Sequence, residues 1–313
     1  MEHLNSSSNS SSVEISQNSG RLVSSFILGL CLVLGLPGNI AVLVVILRRS
    51  PRRLNFTLYL MLNLASSDIL CLTTVPVWIY TVLHGWTLGR AACKIATFLL
   101  YLSLYANVLT VTLLGIQRYI QVLKPQTWNR LQRKGEVALL VAIWVLACAL
   151  TSSAVVTRDV SYDKQKCERH TGSDSERIAV LVLETFLGFV VPFSALLVSY
   201  CCLHRQVNRT ALFSSTKLTW LVTSVVVAFF VLWIPVHIVN IVDIVGIALR
   251  GYWPKASETL LRHRSTAARV VRSFPFVNSC LDPFLYAFAS RRIREKPNAS
   301  SEKDDSRMLT TKI

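Results

Sequence analysis

The residues able to do chemistry in this chain stand where water is scarce. Asp68, Glu184 and Asp282 are acids inside long apolar runs, Arg118 closes another run, and Arg158, Arg269 and Arg272 lie at or within the ends of two more. A charged group in hydrocarbon is costly and marks an ion or ligand site by default. Two stripes accompany them. Thr97, Tyr101 and Tyr105 are spaced by four, and Phe229, Trp233, His237 and Asn240 fall at i, i+4, i+8 and i+11, so each set shares a helix face. This is chemistry for holding a polar or charged ligand. Bond-breaking is not indicated: the histidines are scattered, and no Ser/His/Asp set shares a face. Blander readings stand beside these. A tyrosine stripe also packs a core, and a lone histidine on an apolar face is often just a satisfied polar group. Asp68 also fits a neutral hydrogen-bonded acid, Arg118 a stop-transfer flank, and Arg262 and Arg264 a solvated basic loop.

The elements that must position these residues are membrane spans. The chain is 52% hydrophobic and only 16% charged over 313 residues, against about 25% charged in a soluble domain. Seven runs reach the roughly 20 residues needed to span a bilayer: about 22–48, 55–84, 91–123, 134–156, 176–204, 217–249 and 265–289. The expectation is an all-α membrane protein, a seven-helix bundle, because an open sheet cannot satisfy its backbone in lipid. Residues 1–21 read as a tail, 22–289 as the bundle and 290–313 as a second tail that begins with a short amphipathic helix. No cleavable signal peptide is expected, since the first run is too long for one.

The formal charge of +16 has a location. Basic clusters at Arg48–Arg53, Lys124–Lys134, Arg205–Lys217 and Arg291–Lys296 all fall on one side of a seven-helix count. By the positive-inside rule that side is cytoplasmic, so the basic balance reflects topology and not nucleic-acid binding. The N-terminus is then extracellular, with sequons at Asn5 and Asn9 as glycosylation sites. Those at Asn55, Asn208 and Asn298 fall inside and read as chance matches. Of eight cysteines, only Cys93 and Cys167 map to the oxidising outer face, and a disulfide between them is expected. Arg250, Lys255, Arg262, His263 and Arg264 make the last outer link basic, which the positive-inside rule does not explain.

These residues together match a family pattern. Gly38-Asn39, Asn63-Leu64 with Asp68, Cys93 with Cys167, Arg118-Tyr119, Trp144, Pro192 with Tyr200, Trp233-Ile234-Pro235 and Asp282-Pro283-Phe284-Leu285-Tyr286 occur in order on seven runs. Over nearly its whole length the chain resembles a rhodopsin-like (class A) G protein-coupled receptor. Within that family it is most similar to the leukotriene B4 receptors. The strings are Gly35-Leu36-Pro37-Gly38-Asn39, Leu104-Tyr105-Ala106-Asn107-Val108-Leu109, Leu183 through Phe193, and Pro235 through Asn240. Chemoattractant peptide receptors share much of the pattern.

The resemblance implies a plasma-membrane receptor for an anionic lipid mediator, leukotriene B4, acting in chemotaxis through a heterotrimeric G protein of the Gi type. Arrestin and membrane lipids are further expected partners. It implies a ligand set of Thr97, Tyr101, Tyr105, Arg158, Glu184, His237, Asn240, Arg269 and Arg272, with Glu184 facing the arginines. It implies an activation switch of Arg118, Tyr200, Phe229, Trp233, Pro235, Asp282 and Tyr286. No cofactor is expected beyond a sodium ion: Asp68, Ser103, Asn107, Asn278 and Asp282 should converge beneath Trp233, and since two acids in low dielectric cannot both stay charged unpaired, a sodium ion or a proton should compensate them. Departures exist. Gln117 stands where the family has an acid before the arginine, no acid lies near Ser215, and the tail is short. These predict basal signalling and bear on arrestin. The rivals are a peptide receptor of the same fold, a non-signalling scavenger and, from another class, a transporter, for which no repeat or continued polar path is visible.

Overall fold

A computed structural model describes residues 20–49, 55–129, 132–161, 163, 165–207 and 216–294. Its helices are α1 (Gly20–Arg48), α2 (Phe56–His84), α3 (Gly89–Leu123), α4 (Arg133–Val156), α5 (Asp174–Cys202), α6 (Thr216–Ala248), α7 (Pro254–Val271) and α8 (Phe274–Arg294). Among the described residues, six helices are long and apolar enough to cross a membrane: α1 to α5, and the stretch Val226–Gly251 that carries most of α6. The last span is α8, packed against α1, α2 and α6. The surface runs opposite to that of a soluble protein. Val137, Val141 and Val145, one turn apart on α4, are more than half exposed, the face expected to meet lipid.

The interior is stitched by polar groups whose partners follow from the sequence. Pro283 has no N–H, which frees the Ser279 carbonyl four residues back. The Asn39 amide donates to that carbonyl at 2.8 Å and to its own Gly35 carbonyl at 3.0 Å. Gly38 lets the two helices approach, since a Cβ there would lie 3.0 Å from Pro283. Asn63 joins three helices: its amide donates to Thr110 at 2.7 Å and its oxygen accepts from the Trp144 indole at 2.8 Å. An unpaired polar group in the spans would be costly, so such pairs fix which helices neighbour one another.

Two expectations are refined. Pro76, expected to kink the second run, ends a helical segment at Thr73 and starts the next at Val75, with the Thr74 hydroxyl donating to the Cys71 carbonyl at 2.7 Å. The seventh run is not one helix from 265. Residues up to Val271 belong to α7, which begins at Pro254, and a turn at Arg272–Ser273 separates it from α8. That turn places Arg272 at a helix end instead of on a continuous face.

The link between α4 and α5 forms an antiparallel hairpin, β1 (Arg158–Ser161) and β2 (Lys166–Arg169), with Arg158 opposite Arg169 and Val160 opposite Cys167. Cys93, buried at the start of α3, is bonded to Cys167. The Gln165 carbonyl accepts from the Trp86 N–H at 2.7 Å, so two links are held together over this end of the bundle. Gly85 takes φ +80, a conformation that L side chains avoid. Asn5, Asn9, Ser215 and the expected amphipathic helix after the seventh span lie outside the described residues.

Candidate functional site

Beneath the hairpin lies an arginine cluster. Because β1 and β2 pair Arg158 with Arg169, both guanidinia are delivered to the same end of the bundle. Arg158 sits over the Tyr101 ring, 5.8 Å from its centroid, and donates to the Tyr101 hydroxyl at 3.2 Å and to the Cys167 carbonyl at 3.4 Å. Arg169 is ion-paired with Glu184, both largely buried. Burial alone would lower the Arg169 pKa, but the Glu184 carboxylate beside it more than offsets this, so it lies above the ordinary arginine value. Glu184 was expected to face Arg269 and Arg272. Its partner is instead Arg169, since the hairpin carries that residue down to the fifth helix.

Farther across, Asp243 on α6 is almost fully buried and is shared by two arginines. Arg177 on α5 contacts both of its oxygens, at 2.9 and 3.0 Å, and Arg264 on α7 donates to Oδ2 at 2.7 Å. The expectation of a solvated Arg264 is therefore corrected: its side chain is only 19% exposed and ion-paired. Arg272 is exposed to solvent, yet Arg158, Arg264, Tyr101 and Asp243 lie within electrostatic range of it. It thus faces the cluster from the turn between α7 and α8. Asp159 pairs with Arg90 at 2.9 Å and is not a partner of Arg272. The Arg269 side chain lies outside the described part.

The tyrosine stripe divides. Thr97 is fully buried against the disulfide, 3.9 Å from Cys167 Sγ, so the bridge covers it. Tyr101 is half-buried among the arginines, and Tyr105 lies one turn deeper, its ring 6.3 Å from that of Tyr101. The α6 stripe is a stack of rings. Phe229 packs on Trp233 at 5.2 Å and Trp233 on His237 at 5.9 Å, while Phe189 of α5 stacks on His237 at 4.7 Å. His237 Nδ1 is 3.5 Å from the Thr185 hydroxyl, and Asn240 is half-buried one turn on. Pro235 lies inside α6 between these rings.

A second cluster sits deeper. Asp68 is fully buried and accepts from the Asn107 amide at 2.6 Å; Asn107 in turn accepts from the Ser67 hydroxyl at 3.2 Å. Asp282 and Ser279 lie close to Asp68. Asp68 Oδ2, both Asp282 oxygens, Asn278 Oδ1 and Ser279 Oγ are buried without a hydrogen-bond partner among the described residues. Oxygens around two carboxylates are the ligand type that a hard cation such as sodium would take, and Asp68, Asp282, Asn278 and Ser279 are the residues that would hold one. Ser103 is less well placed, its hydroxyl donating to the Leu100 carbonyl at 2.7 Å and lying against Cys71.

At the far end of α3, Arg118 is buried, with Nε and Nη2 unpartnered among the described residues and Tyr200 nearby. The fully buried Gln117 amide donates to Thr57 on α2 at 2.9 Å. Of the remaining switch residues, Tyr286 has its side chain outside the described part.

Sequence reading overlooked Arg169, Arg177 and Asp243 at the first site, and Ser67 and Ser279 at the second. Asp243 could have been found: it is an acid inside an apolar run, three residues past Asn240. Nothing in the spacing of Arg169 or Arg177 marks them.

The sequence model of the family described as "7 transmembrane receptor (rhodopsin family)" matches residues 38–286. Leukotriene B4 receptor 1 of Homo sapiens is 31% identical over 274 residues, covering 86% of this chain and 77% of that receptor. Apelin receptor B of Danio rerio is 30% identical over 321 residues, covering 91% and 88%. The C3a anaphylatoxin chemotactic receptor of Danio rerio is 29% identical over 287 residues, covering 90% and 75%. The polar ties between helices, the bridged hairpin and this match agree, and the chain belongs to the rhodopsin family of seven-transmembrane receptors, multi-pass membrane proteins that signal through G proteins and are not enzymes.

Proposed function

We propose that this receptor takes an anionic lipid mediator of the leukotriene B4 type and couples to a Gi-type G protein at the plasma membrane. The observation that carries the reading is the charge of the cluster: among the described residues, Arg158, Arg169, Arg177, Arg264 and Arg272 gather around two buried acids, Glu184 and Asp243. A carboxylate fills such a hole, and an amine adds repulsion. Arginine's planar fork suits a carboxylate held away from water. Below the arginines, Tyr105, Phe189, His237 and Trp233 offer an aromatic wall for a chain with hydroxyls, and Trp233 is its floor. The basic clusters of the links favour an extracellular hairpin end, with the N-terminus on that side. Sodium in the Asp68–Asp282 cluster would favour the resting receptor.

The test is a calcium or cAMP readout in cells given a panel of lipid mediators as free acids and methyl esters. We expect the acid to act and the ester to be much weaker. Arg272→Ala should weaken the acid and barely change the ester. Equal losses would make Arg272 structural and move the search for the carboxylate partner to Arg158. A second reading, a chemoattractant peptide receptor, is favoured by the relatives named for apelin and C3a. It predicts that peptides with an acidic terminus activate and that lipids do not.

A further inference from the structure

Asp243 has no part in the ligand set that the sequence suggests, yet it is among the most completely buried charges in the protein. A buried carboxylate persists only when paired and hydrogen-bonded. Asp243 meets that condition twice, through Arg177 on α5 and Arg264 on α7. The two arginines share one acid, so the triad carries one net positive charge. It is not isolated from the candidate ligand site. Asp243 is within electrostatic range of Arg272, and Arg264 is within range of Arg169 and Arg177 as well as Arg272. Arg264 Nε is buried without a hydrogen-bond partner among the described residues. Its guanidinium therefore keeps a donor free on the side that Asp243 does not fill.

We propose that Asp243 is a built-in counter-ion that competes with the ligand's anionic group for Arg264 and Arg177, and so sets how strongly the receptor prefers acids over neutral lipids. In the free receptor Asp243 holds both arginines and ties α6 to α5 and α7. An incoming carboxylate must share Arg264 with it or displace it. Asp243 thus lowers affinity for anions specifically and leaves affinity for the uncharged part of the ligand alone. The alternative is that Asp243 only welds three helix ends together. Its loss would then harm every ligand alike.

This proposal rests on the anionic-lipid reading. The experiment is competition binding with leukotriene B4 free acid and its methyl ester as probes. The proteins are the full-length receptor, Asp243→Asn, Arg264→Gln and the double variant, with surface expression read by an epitope tag. Asp243→Asn should bind the acid about tenfold more tightly, equivalent to about 1.4 kcal/mol, with the ester unchanged. Arg264→Gln leaves Asp243 paired with Arg177 and should weaken the acid more than the ester. Adding Asp243→Asn to Arg264→Gln restores the net charge of the triad and should recover the acid affinity about tenfold, again sparing the ester. That comparison strands no acid and remains decisive if Asp243→Asn alone fails to reach the surface. A wild-type receptor that prefers the acid, with Asp243→Asn shifting acid and ester equally in either background or weakening the acid, overturns this proposal alone. A wild-type receptor that binds acid and ester equally, or neither, overturns the anionic-lipid reading and the proposal together.

Discussion

The two charged clusters of this receptor are mirror images in chemistry. Beneath the hairpin, arginines outnumber acids, and Arg272 and part of Arg177 reach water. Around Asp68 and Asp282 carboxylates gather with no arginine or lysine beside them among the described residues, and both are buried. The first cluster is short of an anion and accessible; the second is short of a cation and enclosed. Similar burial costs thus lead to opposite demands. Charge imbalance at an accessible site fits a ligand that comes and goes, whereas imbalance at an enclosed one fits a small ion or a proton. The ring stack of His237, Trp233 and Phe229 runs along α6 away from the hairpin end.

The largest effect should come from removing the frame of the first cluster. Cys93→Ser and Cys167→Ser each release the hairpin that carries Arg158 and Arg169, at about 2–5 kcal/mol. Surface binding should be lost alike in both, and the double variant should be no worse. Simple addition of the two losses would mean that they do not act through one bond.

Next, Glu184→Ala should strand the buried Arg169 charge and cost about 3–5 kcal/mol in thermal stability of the purified receptor. Removing Arg169 as well should return much of that loss. If the double variant is as unstable as the two losses summed, the pair is not the unit it looks to be. A full recovery would show that the hairpin needs no charge to stay seated.

The enclosed cluster is tested by salt. Sodium should weaken agonist binding, and Asp68→Asn should abolish that sensitivity, a coupling of about 1–3 kcal/mol. Potassium serves as the control. Agonist binding indifferent to sodium in the wild type would leave a shared proton as the compensating charge.

The smallest expected effect lies at neither cluster. Arg118 has no acidic partner among the described residues, and Gln117 is engaged with Thr57 instead. Gln117→Asp would add a charge-assisted contact to Arg118 but lose the bond to Thr57, for a net of about 1 kcal/mol in favour of the resting state. Basal nucleotide exchange on a co-purified G protein should fall severalfold. Unchanged basal exchange would show that this position does not hold Arg118.

The sequence by itself determined the first six spans, and the reason is local: bilayer thickness demands about 20 apolar residues, and each run carries that information within itself. It also determined which polar groups must find partners, since Asn39, Asn63, Asp68 and Asp282 stand in apolar runs whatever their neighbours. The Cys93–Cys167 bridge was legible because topology left just two cysteines on the oxidising side. What only the tertiary structure decided is which charge meets which. Glu184 pairs with Arg169 because a four-residue strand register turns that side chain towards α5. Asp243 meets Arg177 across 66 residues and Arg264 across 21, separations with no periodicity to read. Arg272 owes its direction to a turn that splits the last apolar run between two helices. Hydropathy is a property of a segment, and a counter-ion is a property of a place; the second exists only once the helices have packed.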